Sequence, residues 1–208
     1  MLGDRLIFEK NHALKANKIY NYLINNYKKL DNFIICIAGI SGVGKSEISQ
    51  LLQEKLVNKN IYTYLLSLDD YYISNWEERE LIRKETGIIG YKELYWDKIN
   101  QIIKNFKKNK RDIYTQRLNR FTNSLEHTRI NGQKINVIIV EGLYALYLKN
   151  KDFGVYLDAK INDTLKFRKK RKKENPDNDF RKKVLKIEEK DIKKSKKYAD
   201  IIISYKDK

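Results

Sequence analysis

The chain has 208 residues, 44 Lys and Arg against 27 Asp and Glu, a formal net charge of +17, and one cysteine. A single cysteine excludes an internal disulfide framework, and no apolar run reaches the roughly 18 residues that a bilayer span requires. The length suits one core of ordinary size, Cys36 inside an apolar run suits a reducing compartment, and Met1-Leu-Gly-Asp-Arg-Leu6 lacks the shape of a signal peptide, so a cytoplasmic protein without a membrane segment is expected.

Along the chain, Leu14, Ile19, Tyr22, Leu23 and Tyr27 recur at helical spacing and predict an N-terminal helix within 10–30. Phe33-Ile-Ile-Cys-Ile-Ala38 is an apolar run of strand length. A helix over 47–57 follows, with Ile48, Leu51, Leu52 and Leu56 on one face. Ile61–Ser67 reads as a second strand, followed by Asp69 and Asp70. Residues 73–91 are mixed and polar and predict an irregular insert. Residues 92–108 predict an amphipathic helix through Leu94, Trp96, Ile99, Ile102, Ile103 and Phe106, and residues 110–132 fit a hairpin or an irregular substrate loop. Ile135–Val140 and Phe153–Asp158 read as buried strands, 162–173 as a basic helix broken by Asn175-Pro176, about 180–197 as a second basic helix, and Asp200–Ser204 as the last strand. Strands alternating with helices predict a parallel sheet covered on both faces, with ligand at the carboxyl ends of its strands.

Between the first strand and its helix stands Gly39-Ile-Ser-Gly-Val-Gly-Lys-Ser46, which fits the phosphate-binding pattern G-x-x-x-x-G-K-[ST] at every fixed position. Glycines at 39, 42 and 44 let the backbone curl round a phosphate chain, and the N-terminal end of the following helix adds positive potential. Gly39, Ser41, Gly42, Val43, Gly44, Lys45, Ser46 and Glu47 are therefore candidate ATP-binding residues. Lys45 is placed for the β- and γ-phosphates and Ser46 for Mg²⁺. Asp69 and Asp70 end a strand that should neighbour this loop, and either suits a base for a substrate hydroxyl. Glu141 ends the next buried strand and should emerge beside Ser46, as a metal ligand or a base. Arg168 and Arg171 share a helix face and are candidates for charge stabilisation by a lid. His12 and His127 have no metal-ligand spacing. Asn109-Lys110-Arg111-Asp112 fits the guanine motif N-K-x-D, but it follows an amphipathic helix rather than a buried strand, so a GTPase is not the expected reading.

Taken together, these segments resemble the uridine kinase/phosphoribulokinase family of P-loop kinases. Ser67-Leu-Asp-Asp-Tyr-Tyr72 is similar to its S-x-D-x-F-Y segment, Val140-Glu-Gly-Leu143 to its E-G segment, and Lys196-Lys-Tyr-Ala-Asp-Ile-Ile-Ile203 to the stretch before its last strand. The resemblance spans about 33–204. It implies a three-layer α/β/α P-loop fold with a parallel sheet of about five strands and a basic helical lid over 168–181, on one domain with a helical extension (1–30) and a substrate-side insert (73–132). It also implies Asp69 as base, Glu141 at the metal, and Arg168 and Arg171 in the lid signature. The family's pyrimidine-binding segment is not matched by Leu118–Ser124. Tyr72, Arg117 and Arg120 are then the candidate acceptor residues, the arginines suiting an anionic acceptor, with Tyr72, Trp76, Tyr91 and Tyr95 as the aromatics from which a nucleoside pocket would otherwise be rebuilt.

The expected activity is ATP-dependent, Mg²⁺-assisted phosphoryl transfer to a hydroxyl of a small nucleoside-like or sugar-like acceptor, with uridine itself disfavoured. Two other readings stay open. Residues 161–208 carry 18 Lys and Arg against 9 Asp and Glu, which suits a nucleic-acid kinase, although lysine is abundant throughout; a non-catalytic nucleotide-binding protein is the other. The oligomeric state also stays open, a homo-oligomer included.

Overall fold

A computed structural model describes residue 3 and residues 5–75, 78–171 and 178–206. Five strands form one parallel sheet: β1 (Phe33–Gly39), β2 (Thr63–Ser67), β5 (Val137–Glu141), β6 (Phe153–Asp158) and β7 (Ile201–Ser204), in the order β2-β5-β1-β6-β7. The three central strands are continuous apolar runs because helices cover both faces, leaving no solvated side to favour alternation. The expected three-layer α/β/α architecture is therefore the one observed.

The expected N-terminal helix is α1 (Lys10–Asn26), which packs on α2 (Lys45–Val57) and stacks Tyr22 on Phe153 of β6. Its buried stripe runs through His12, Lys15, Ala16, Ile19 and Leu23, and Leu14, read from the sequence as part of the apolar face, is exposed. The segment expected to be irregular over 73–91 contains a helix, α3 (Arg79–Thr86). It shows no apolar stripe because its inward contact is a buried arginine, Arg83, and its apolar Leu81 and Ile82 face solvent. The next helix, α4 (Trp96–Lys107), starts later than the expected 92, since Gly90 at φ +109° and the carboxylate of Glu93, which accepts its N–H, shape a tight turn first. Its Ile99, Ile103 and Phe106 enter the core.

Residues 110–132 adopt the hairpin of the two expected alternatives: β3 (Asp112–Asn119) pairs antiparallel with β4 (Ser124–Asn131) as a separate two-stranded sheet. The basic helices are α5 (Ile161–Arg171) and α6 (Asp179–Ser195). Of the segment 168–181 expected as a lid, residues 168–171 close α5 and 178–181 open α6; residues 172–177, with Pro176, lie outside the described residues, as does Trp76.

Parallel register decides which side chains meet at the ligand edge. Ile37 of β1 and Ser67 of β2 both stand opposite Glu141 of β5, so the loop after β1, the turn after β2 and the end of β5 converge at one point.

Candidate active site

The loop joining β1 to α2 carries two residues in the left-handed region, Gly42 (φ +77°) and Gly44 (φ +93°). Neither has room for a side chain. A Cβ on Gly42 would stand 2.4 Å from Cγ of Arg168, and one on Gly44 would stand 2.5 Å from Nε2 of His12. Glycine is thus required both by conformation and by close approach. Gly44 caps α2, whose first N–H groups and dipole face the loop's concavity, an arrangement suited to an anion.

Lys45 opens α2 and donates from Nζ to the carbonyl of Ile40 at 3.1 Å. Burial lowers its pKa, opposed by the charges of Glu141 and Asp69. Glu141 accepts through Oε1 from the hydroxyls of Ser46 (3.3 Å) and Ser67 (2.6 Å). Burial raises its pKa, the Asp69 charge adds to that rise, and Lys45 counters it. A buried carboxylate beside a serine hydroxyl and a second carboxylate is a set of hard oxygen donors. That set fits Mg²⁺, which keeps waters and phosphate oxygens for its remaining positions.

The turn after β2 is a single 3-10 turn, Leu68–Tyr71, and it separates the two neighbouring aspartates. Asp69 lines the cavity beside the loop. Asp70 points the other way, is 5% exposed, and accepts through Oδ1 from the N–H of Leu118 at 3.0 Å, while its carbonyl accepts from Nε2 of Gln116 at 2.7 Å. Those two bonds moor β3 to the turn. Burial pushes the Asp70 carboxyl above its ordinary pKa.

Tyr72 lies beneath the guanidinium of Arg79, whose centre is 3.6 Å from the ring centroid. Four residues along α3, Arg83 donates to both oxygens of Glu93 (2.6 and 2.9 Å) and to Glu188 of α6 (3.2 Å). Burial alone would lower the pKa of Arg83, but Glu93 and Glu188 outweigh it and raise it.

These elements enclose a cavity of about 470 Å³. Ser41, Gly42, Gly44, Lys45 and Ser46 form one end. Asp69, Tyr72, Glu141, Arg120, Arg168 and Arg171 also line it, so most residues singled out in the sequence come together. Others do not reach it. Gly39 packs under Leu157, and Val43 is buried in the core. Glu47 is fully buried, accepting from the N–H of Ile7 at 3.4 Å with Arg171 at 3.9 Å. Arg117 lies over the ring of Tyr64, 5.9 Å from its centroid, outside the cavity lining. Arg79, Arg83, Arg181 and Glu188 line it as well and were not legible as site residues. His12, which looked isolated, sits 5% exposed behind the loop, accepting through Nδ1 from the N–H of Glu9 and meeting Phe167 edge-on at 5.3 Å.

The model of the phosphoribulokinase/uridine kinase family matches residues 34–205. The chain belongs to this family. Like the family motifs, the phosphate loop, Asp69 and Glu141 fall within the matched span, whereas α1 and His12 precede it. The chain is 31% identical over 186 residues to a bifunctional alpha-galactosidase/sucrose kinase of Mediterraneibacter gnavus, covering 82% of this chain and 20% of that protein. It is 30% identical over 120 residues to a uridine kinase of Ureaplasma parvum, covering 55% of this chain and 54% of that one. The chain thus spans a fifth to about half of the length of these relatives. Among solved structures, phosphoribulokinase from Rhodobacter spheroides shares the fold with a TM-score of 0.65 at 12% identity, covering 85% of this chain and 71% of that one. The D-glycerate 3-kinase from Cryptococcus neoformans does so with a TM-score of 0.58 at 13% identity, covering 94% and 95%. No described helix is long and apolar enough to cross a membrane.

Proposed function

We propose that this chain is an ATP-dependent kinase that transfers the γ-phosphate to a hydroxyl of a small acceptor. The observation that carries this reading is one cavity with a glycine phosphate loop and Lys45 at one end and the Asp69 carboxylate beside them. In this reading the loop N–H groups and Lys45 hold the phosphates, and the acceptor sits against Asp69 and Tyr72. Asp69 takes the hydroxyl proton as the acceptor oxygen bonds to phosphorus and the bond from phosphorus to the β-phosphate oxygen breaks, releasing ADP. Lys45, Arg168 and Arg171 stabilise the charge on the transferring group. Ser46 and Glu141 would hold Mg²⁺, which when bound neutralises phosphate charge. Asp70 is occupied by the N–H of Leu118, and that favours Asp69 as the base. A cavity of this volume favours a nucleoside-like or sugar-like molecule over a polymer.

The test is ADP release from ATP and Mg²⁺ against a panel of nucleosides, sugars, sugar phosphates, hydroxy acids and RNA. ADP should appear only with an acceptor. Lys45→Ala, folded by circular dichroism, should lose on the order of 10² to 10³ or more in kcat. Turnover by the variant near the wild-type rate, or no acceptor-dependent ADP, would remove the kinase reading.

A further inference from the structure

Seven cations line the cavity; Arg120 comes from the hairpin and Arg181 from α6, and the other five fall into two groups. Lys45, Arg168 and Arg171 belong to the phosphate loop and to the helix packed on it. Arg79 and Arg83 belong to α3, on the side where Tyr72 and Asp69 stand. These two arginines are one helical turn apart and share a face, yet their situations differ. Arg83 is neutralised by Glu93 and Glu188. Arg79 has no carboxylate within ion-pair distance among the described residues. Glu80 beside it is engaged by Lys84 at 2.7 Å. One of the Arg79 donors, Nη2, reaches the Ser74 carbonyl at 3.2 Å. Its Nε is buried and has no hydrogen-bond partner among the described residues.

The residue is half-buried, and a guanidinium there with a buried, unpartnered Nε–H and no ion pair is costly to keep. The Tyr72 ring, 3.6 Å from the guanidinium centre, restrains the group against the cavity wall. A planar fork held in this way matches the two oxygens of a phosphate or carboxylate. The loop-side cations stand where the phosphates of ATP would lie, and among the described residues no hydrogen bond or ion pair joins Arg79 to the loop.

Resting on the kinase reading above, we propose that Arg79 is a specificity-determining residue that holds an anionic group of the acceptor. The acceptor is then a hydroxyl compound carrying a phosphate or a carboxylate, rather than a neutral nucleoside or sugar. The anion sits over the Tyr72–Arg79 stack, and the hydroxyl faces Asp69.

Calorimetry on the whole chain tests this, with Mg²⁺ and a non-hydrolysable ATP analogue filling the phosphate loop. The probes are matched pairs: ribose 5-phosphate and ribose, glucose 6-phosphate and glucose, glycerate and glycerol. The wild-type chain should bind the charged member of at least one pair on the order of 100-fold tighter than its neutral partner. The phosphate pairs and the carboxylate pair tell the two anions apart. Arg79→Gln should erase the preference while the analogue still binds, and Arg79→Lys, which keeps the charge but loses the planar fork, should weaken it about tenfold. No preference in the wild-type chain, or a preference that both variants keep, would overturn the proposal. Should Arg79→Gln fail to bind the analogue, Arg79→Lys alone decides. Because binding needs no turnover, an Arg79-dependent preference without ADP release would sink the kinase reading, and with it the acceptor role, and leave only an anion site at Arg79. Efficient turnover of neutral acceptors alone would sink the acceptor role and leave the kinase reading standing.

Discussion

Asp69 and Asp70 are adjacent in sequence and point to opposite sides of one turn, so removing each carboxylate should leave a different signature. Asp69→Asn keeps shape and removes a base, so kcat should fall by about 10² to 10⁴ with little change in stability. Asp70→Ala deletes the acceptor of the Leu118 N–H, which lies in a buried setting at 3.0 Å. An orphaned buried donor costs about 1–3 kcal/mol. For a chain of this length, each kcal/mol lowers Tm by about 2–4 °C, so a loss of about 2–12 °C is expected. The two variants are compared by calorimetric melting and by initial rates at saturating ATP. A damaging Asp70 variant with an unchanged Tm, beside a silent Asp69→Asn, would refute both the assignment of the base and the mooring role of Asp70.

Three further outcomes follow from the geometry. Arg83→Ala should destabilise by about 3–5 kcal/mol in urea titration, since it strands the buried carboxylates of Glu93 and Glu188; a loss under about 1 kcal/mol would show that the cluster is solvated. Gly42→Ala should weaken binding of an ATP analogue and cost about 1–2 kcal/mol, because a Cβ there is strained at φ +77° and abuts Arg168; unchanged binding by fluorescence titration would contradict the tight loop. Burial, against the opposing charges of Glu47 and Glu9, holds the His12 pKa below its ordinary 6.5. The unfolded chain then takes up that proton first as pH falls, so stability is full above about 6.5 and declines below it until the folded imidazole also titrates. His12→Gln should lose this part of the decline, and equal slopes for both proteins in urea titrations across that range would contradict the assignment.

The phosphate loop, the strand ends and the sheet were legible because each is local: a fixed glycine spacing, or a short apolar run that can only be a buried parallel strand. Strands Phe33–Gly39 and Val137–Glu141 lie within a residue or two of where their apolar residues predict them. What was hidden is long-range and polar. The helix at 79–86 is held by an arginine whose partners lie 10 and 105 residues away, a relation that no periodicity carries. Arg79 is conspicuous only once Tyr72 is beneath it and Glu80 is turned toward Lys84. Arg117 had the right charge and sits on the right hairpin, but the alternation of a strand turns it toward Tyr64, whereas Arg120, three residues on and beyond the strand's end, reaches the cavity. His12 has no metal-ligand spacing in the sequence, and its place behind Gly44 comes from packing between elements.

Among the described residues, most of the hydrogen bonds that tie the hairpin to the rest of the molecule lie along β3. That inner strand is held by Asp70, by Tyr71 through the N–H of Gln116 at 3.2 Å, and by the contact between Tyr64 and Thr115 at 2.9 Å, while the outer strand is exposed from Ser124 to Arg129. Tolerance of sequence drift should therefore be lopsided. Residues added or lost at 121–122 fall in an exposed turn, though they move Arg120 and so retune the cavity wall. A single residue added after Thr115 would reverse the facing of the strand beyond it, Gln116 and Leu118 included, and cast off the turn that carries Asp69. The fold thus offers a lineage one place where acceptor preference can change by insertion and, directly beside it, one where it cannot.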